Sequence, residues 1–365
     1  MALRPSLQDV LNSLQAEGQL APEALEPARA ALEVHQRQSV AVPWFVKAFA
    51  GAGAWLAAVF ILSFFACMGL WDEQVVMGIL GVGLCVGATM LRRSLHGVFV
   101  EQFALALCLA GATMASVSFG IESESENVGA MVALVISGVL LFTYPDAILR
   151  FLSTLGLVGA AGFLAWHVVG AFALDLWILG CAALMHVLFL EQARLRTGGS
   201  GELVGPVAFA LACAIPGVLL ARGMRNISRD FLDASSALPD SVVTLGLTAL
   251  TLYTAWRVLR ELSLEPTGVA GAAVFAALTL VAVLTPHTPA VITAVSMLVL
   301  GFHRRSSVLV GLAVAYLLTS GSWYYYDLGL TLLAKALALM GSGLVFLGLR
   351  SFLLRRFPAP ATEVR

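Results

Sequence analysis

The sequence predicts an all-α fold: a polytopic transmembrane bundle of about twelve helices, preceded by a short N-terminal cytoplasmic helical hairpin. Three observations lead there. The 365-residue chain is 59% hydrophobic and 12% charged, against about 45–50% and about 25% in soluble domains. Apolar runs of the length that a ~30 Å hydrocarbon core demands of a helix recur from end to end. The basic residues fall unevenly between those runs, which is how loops on the cytoplasmic side are marked.

Residues 1–40 are the only soluble-looking stretch. Ser6 followed by Asp9 resembles a capping box, and Leu7, Val10, Leu11 and Leu14 share one helical face that Gly18 closes. Pro22 suits the first turn of a second helix running toward Gln38. The hairpin is too short to bury a core of its own. It lacks a basic leader and a small-residue cleavage site, so it is expected not to be a signal peptide.

Residues 41–357 form the expected transmembrane domain, and 358–365 a cytoplasmic tail. Twelve apolar segments read as helices: 44–70, 75–91, 99–119, 128–144, 151–170, 174–190, 203–220, 241–257, 268–284, 288–302, 307–320 and 328–349. The tenth is the weakest, with Pro286 and Pro289 at its entrance and only about 22 Å of helix. Charge supports its crossing all the same. With both termini inside, 17 of the 21 Lys and Arg residues face the cytoplasm, whereas failure of that one segment would put Arg304, Arg305 and the basic tail outside. Asp72, Glu73, Glu122, Glu124, Glu126, Asp175 and Asp327 then lie in outer loops.

Arg222, Arg225 and Arg229 are the basic exceptions on the outer side. At 100° per residue they cluster on one face of residues 219–233, and Leu220, Met224, Ile227 and Phe231 cluster on the other. That separation predicts a helix lying in the interface plane against membrane lipid.

The near-neutral balance of 21 basic and 22 acidic residues leaves no field for nucleic acid, and none is expected as a partner. The five cysteines (Cys67, Cys85, Cys108, Cys181 and Cys213) sit singly in apolar runs and read as buried free thiols. No metalloprotease, nucleophile-elbow, phosphate-loop or paired intramembrane carboxylate motif occurs. The chain is therefore expected to be no enzyme and to hold no cofactor or metal. Duplication is equally unsupported, because Arg92-Arg93-Ser94 and Arg304-Arg305-Ser306 lie eight helices apart, a spacing that two six-helix halves cannot produce.

The candidate functional residues cluster at the last segment. Lys335 is the only formally charged residue deep in an expected span, and such residues are commonly functional. The bland alternative is a lysine that snorkels about 6 Å toward the outer interface. Asp327, Thr331 and Lys335 are spaced by four and share a stripe, while Tyr325 and Tyr326 belong to an aromatic run from Trp323 that an interfacial belt also explains. His167 and His186 lack a carboxylate at i±3 or i±4 and read as isolated histidines facing neighbouring helices. Gly78, Gly81, Gly83 and Gly87, with Gly156, Gly159 and Gly162, read as small-residue helix contacts.

Three stretches carry a resemblance. Pro43-Trp44 followed by Gly51-Ala52-Gly53-Ala54-Trp55-Leu56-Ala57, and the ending from Tyr325-Tyr326-Asp327-Leu328-Gly329-Leu330 through Lys335 to Gly341-Ser342-Gly343, resemble an uncharacterised bacterial membrane family, domain-of-unknown-function family 4401. The lead-in Leu14-Gln15-Ala16-Glu17-Gly18-Gln19-Leu20 is similar to that of related membrane families. The resemblance implies a multi-pass protein of the bacterial inner membrane and a possible partner, a second membrane protein named for a G-D-Y-x-x-L-x-Y motif. It implies no catalytic residues. The expectation for function is a structural or assembly component of a membrane protein complex, with a transporter or permease for an unidentified solute as the alternative. A membrane-embedded enzyme comes third.

Overall fold

The computed structural model describes residues 44–69, 73–95, 97–196, 201–223, 238–263 and 265–327, with scattered positions after them. These residues form helices joined by short turns, and no strand occurs among them. In chain order the helices are α1 (Trp44–Cys67), α2 (Gln74–Ser94), α3 (Val98–Glu122), α4 (Glu126–Thr143), α5 (Ala147–Leu164), α6 (Ala171–Leu190), the single turn α7 (Gln192–Arg196), α8 (Gly201–Gly223), α9 (Asp240–Glu261), α10 (Val269–Leu284), α11 (Pro289–His303) and α12 (Ser307–Asp327). Among the described residues eight of these are long and apolar enough to cross a membrane, namely α1 to α6, α8 and α9. The protein is membrane-embedded. The N-terminal hairpin, almost all of the twelfth segment and the tail lie outside the described residues.

The chain divides into two compact units, residues 1–73 with 83–110 and residues 74–82 with 111–365. In the first, α1 buries a narrow face of small residues: Ala54 and Ala58 are covered, and a Cβ on Gly51 would meet Gln102 at an ordinary 3.7 Å. Phe49 and Phe60 are 78% and 72% exposed. In water such rings would be a liability, whereas in a bilayer they face the solvent they suit. Arg92 and Glu101 pair at 3.2 Å across the turn between α2 and α3.

The second unit has a core where α6, α8, α9 and α11 meet, with α5 against α8, α10 against α9, and α12 against α11. Met185, Leu211, Leu247, Ile292, Met297 and Leu300 fill its centre with almost no exposure. Lipid is as apolar as leucine, so van der Waals fit and close backbone approach hold these helices together. Gly246 shows the fit, since a Cβ there would lie 2.9 Å from Leu179 on α6. Pro206 and Pro216 sit inside α8, where neighbouring helices make the lost backbone bonds tolerable.

The short α11, 15 residues, buries side chains along its whole length, from Pro289 to Gly301. Protein surrounds it, so its length need not match the bilayer. Its C-terminal end lies beside that of α6. Arg304, just past α11, donates through Nε and a terminal guanidinium nitrogen to the carbonyls of Phe189 and Leu190 at the end of α6. A helix end leaves such carbonyls without intrahelical partners and carries partial negative charge, so a guanidinium satisfies both needs.

Ion pairs extend this end. Arg257 of α9 meets Glu191 at 2.5 Å and Glu261 at 3.8 Å, His303 Nε2 is 3.0 Å from Glu261, and Arg150 of α5 pairs with Glu202 of α8 at 2.9 Å. The Arg257 and Glu191 side chains are each about a third exposed, so that pair is worth only ~0.2–1 kcal/mol. Arg150, Arg257 and Arg304 all come from the set expected on one side of the membrane.

One local expectation needs correction. Asp175 does not sit in a loop: α6 starts at Ala171, and Asp175 is 1% exposed in its second turn, accepting from the Leu238 backbone N–H at 2.8 Å. Gly170 leaves no room for a loop, because its φ of 112° turns the chain within one residue, a conformation that suits glycine alone. The aromatic run from Trp323 to Tyr326 lies at the end of α12. Leu220 and Arg222 fall in the last turn of α8, and residues 224–233 lie outside the described residues.

Candidate functional site

One open feature of the second unit is built on the α4–α5 hairpin. Asp146 caps α5 by accepting from the N–H groups of Ile148 (2.8 Å) and Leu149 (3.2 Å), which fixes the turn after Tyr144. Along the hairpin and the end of α3, small residues let backbones approach. A Cβ on Gly129 would fall 2.8 Å from the Ser116 carbonyl and 3.3 Å from Gly120 Cα, and one on Gly156 would fall 2.6 Å from Ser137 Oγ. These glycines are consumed by packing. Gly159, three residues on, is different, because a Cβ there meets nothing within 4 Å.

Gly159 opens onto an apolar groove of about 730 Å³, with Ser116, Gly120, Gly129 and Gly156 along its floor and Phe163 at one side. Glu124 and Glu126 stand at its mouth, both exposed, with Glu124 held at a φ of 49° in the tight turn between α3 and α4. Three small-residue pairs at i,i+4 face it: Ser116/Gly120, Ser125/Gly129 and Gly156/Ala160. This spacing places small residues on one helix face, where another helix can lie close.

On the other side of α5 lies a narrower slot of about 360 Å³ that shares Gly159 and Phe163 with the groove and reaches Trp166, Trp177 and Cys181. Here α5 loosens into a π-helical turn, Ala165–Val169. The turn stacks His167 on Phe163 (ring centroids 5.1 Å, planes 15° apart) and sets Trp166 edge-on to Phe163 at 6.0 Å. Trp177 packs over Gly162, where a Cβ would be 3.2 Å from its ring, and donates from Nε1 to the Val158 carbonyl at 3.2 Å. Turns of this kind are frequent at functional sites.

Polar chemistry in the core is sparse. Thr248, Thr251, Thr254 and Thr293 return their hydroxyl protons to carbonyls four residues back in their own helices. His186, 3% exposed, contacts the Ala182 carbonyl through Nδ1 at 2.6 Å, which makes Nδ1 the proton-bearing nitrogen because a carbonyl only accepts. Its Nε2, the Thr244 hydroxyl and the Tyr316 hydroxyl are buried without a hydrogen-bond partner among the described residues. No group of three metal-ligating side chains occurs among the described residues. The arrangement can receive an apolar or helical guest.

Of the residues singled out from the sequence, Tyr325, Tyr326 and Asp327 fall in the last turn of α12, and Arg222 in the last turn of α8. Thr331, Lys335, Arg225 and Arg229 lie outside the described residues. Of the glycines, Gly78, Gly81, Gly156 and Gly162 are packed as expected, whereas Gly83, Gly87 and Gly159 face open space. The groove itself was missed, although the i,i+4 pairs Ser116/Gly120 and Ser125/Gly129 are visible in the sequence.

A family model described as Domain of unknown function (DUF4401) matches residues 43–356. No curated protein and no solved structure matches the chain.

Proposed function

The chain belongs to the DUF4401 family, and we propose that it is an assembly component of a membrane protein complex in the cytoplasmic membrane of a bacterium, with both chain ends on the cytoplasmic side. The observation that carries this reading is the groove of α3, α4 and α5. A monomer gains nothing by keeping Gly159 bare over some 730 Å³ of apolar space, whereas a small-residue floor is what a transmembrane helix of another protein needs to approach closely. Glu124 and Glu126 at the mouth suit a basic residue at the end of that helix. The partner implied by the family resemblance, the membrane protein with the G-D-Y-x-x-L-x-Y motif, is the first to try. Membrane lipid is the competing occupant.

The test uses Gly159→Leu, which puts a side chain into the groove from a position where a Cβ meets nothing within 4 Å. Co-expression with the tagged partner and mild-detergent purification should recover a complex for the wild type. The variant should melt at the same temperature yet capture at least ~10-fold less, as a blocked small-residue contact predicts. Equal capture by wild type and variant would refute the groove as the docking surface. Lys335 belongs to the same proposal: Lys335→Met is expected to preserve expression and melting while reducing capture.

A second reading, a permease, is favoured by the buried His186 Nε2, Thr244 hydroxyl and Tyr316 hydroxyl, since polar atoms kept in a membrane interior commonly line a solute path. A lone monomer whose melting shifts with an added solute would favour it over assembly.

A further inference from the structure

The ion pairs at the shared end of α6, α9 and α11 engage its carboxylates before they exhaust its arginines. Arg257 lies 2.5 Å from Glu191 and 3.8 Å from Glu261, whose other oxygen is 3.0 Å from His303 Nε2. Arg304 is spent on the carbonyls of Phe189 and Leu190. Arg260 and Arg305 remain: both are exposed, and neither has a carboxylate partner among the described residues. The Glu261–His303 contact joins the two helix ends, so Arg260, one residue before it on α9, and Arg305, two residues after it past α11, stand on either side of one contact.

Trp256 prepares the first of them. The Arg260 guanidinium carbon lies over the Trp256 ring, 4.9 Å from its centroid. Stacking occupies the flat face of the cation and leaves the N–H edge, which is the edge that takes a phosphate through two parallel hydrogen bonds. Tyr253, 50% exposed, has its ring 6.0 Å from that of Trp256. Tryptophan and tyrosine at the end of a spanning helix mark the level of the lipid headgroups. Arg305 holds a φ of 50° in the turn after α11, a left-handed position usually given to glycine. Glycine would make that turn with less strain, so what arginine adds is an exposed charge.

We propose that Arg260 and Arg305, with Trp256, form a binding site for the headgroup of an anionic phospholipid. Two guanidiniums without internal anions complement a headgroup that carries net negative charge, whereas a zwitterionic headgroup brings a cation of its own. A lipid suits the place better than an acidic protein segment does. The site stands at the end of α9, a helix long and apolar enough to span, and the Trp256–Tyr253 pair lies within its last turns, where headgroups meet the protein. A lipid bound there reinforces the junction of α9 and α11 that Glu261 and His303 begin.

The experiment titrates the full-length protein, in a mild uncharged detergent, with dioleoylphosphatidylglycerol or dioleoylphosphatidylcholine and counts the retained lipid by native mass spectrometry. Wild type should retain phosphatidylglycerol in preference to phosphatidylcholine. Arg260→Gln/Arg305→Gln should weaken phosphatidylglycerol binding about 30-fold, the effect expected of two basic residues at an anionic lipid surface, with melting in lipid-free detergent unchanged. Trp256→Leu keeps both charges but releases the guanidinium, and its affinity should fall between the two. Arg355→Gln/Arg356→Gln removes the same charge from the end of the chain and should bind as wild type does. Equal affinity in wild type and the Arg260→Gln/Arg305→Gln variant would overturn the proposal. So would an equal loss in Arg355→Gln/Arg356→Gln, because net charge alone would then explain the binding. Inorganic phosphate that competes as strongly as the lipid would overturn the lipid assignment, as would an acidic protein that co-purifies with wild type and is lost from Arg260→Gln/Arg305→Gln.

Discussion

The bundle of α6, α8, α9 and α11 and the groove of α3, α4 and α5 are made from the same small and apolar residue types, yet they use them in opposite ways. In the bundle Leu179 lies against Gly246, and the large side chains of Leu247 and Met297 are fully covered. In the groove the packing stops partway along α5: Gly156 is filled by Ser137, and Gly159 faces open space. Cohesion in a bilayer depends on fit rather than on escape from water. A glycine that is met therefore holds the fold together, and one that is not met is left for something else.

Leu247→Ala should break the bundle side of this comparison most severely. The side chain is 1% exposed, and truncation of a fully buried leucine costs about 2–5 kcal/mol. Reversible unfolding in mixed detergent micelles is the measurement, and a loss under ~1 kcal/mol would show that the bundle is not the stabilising core. A smaller effect is expected of Gly129→Ala on the packed wall of the groove, where the new methyl would press on the Ser116 carbonyl at 2.8 Å. Backbone cannot swing aside as a side chain can, so overpacking of about 1–3 kcal/mol should follow. Gly159→Ala adds the same methyl group where nothing is touched, and its stability should stay within about 0.5 kcal/mol of wild type. Equal melting shifts for the two glycine variants would erase the distinction between packed and open glycine.

Much of the bundle was legible in the sequence, because a spanning helix advertises itself by length and composition. Eleven of the twelve expected segments coincide with described helices, including the short, proline-flanked 288–302 as α11. Of the basic residues expected on one side, Arg304 reaches the end of α6 and Arg257 the Glu191 that follows it. What stayed hidden depends on which faces meet. Nothing in the composition around Trp166 and His167 signals i→i+5 bonding, so the π-helical turn was invisible. Asp175 read as a loop residue because its charge interrupts an apolar run, while the sharp turn at Gly170 that places it in a helix is a matter of one backbone dihedral. Gly156 and Gly159 are identical in the sequence and differ only in what stands opposite them.

The contact of Arg304 with the end of α6 also sets an order of events in time. Arg304 lies 115 and 114 residues downstream of the carbonyls it serves. At a synthesis rate of about 5–20 residues per second, the end of α6 waits roughly 6–23 seconds for its guanidinium. During that interval those carbonyls depend on water or on the insertion machinery. The bundle therefore cannot close as its helices enter the membrane one by one, and its final clasp is among the last pieces of the chain to be made.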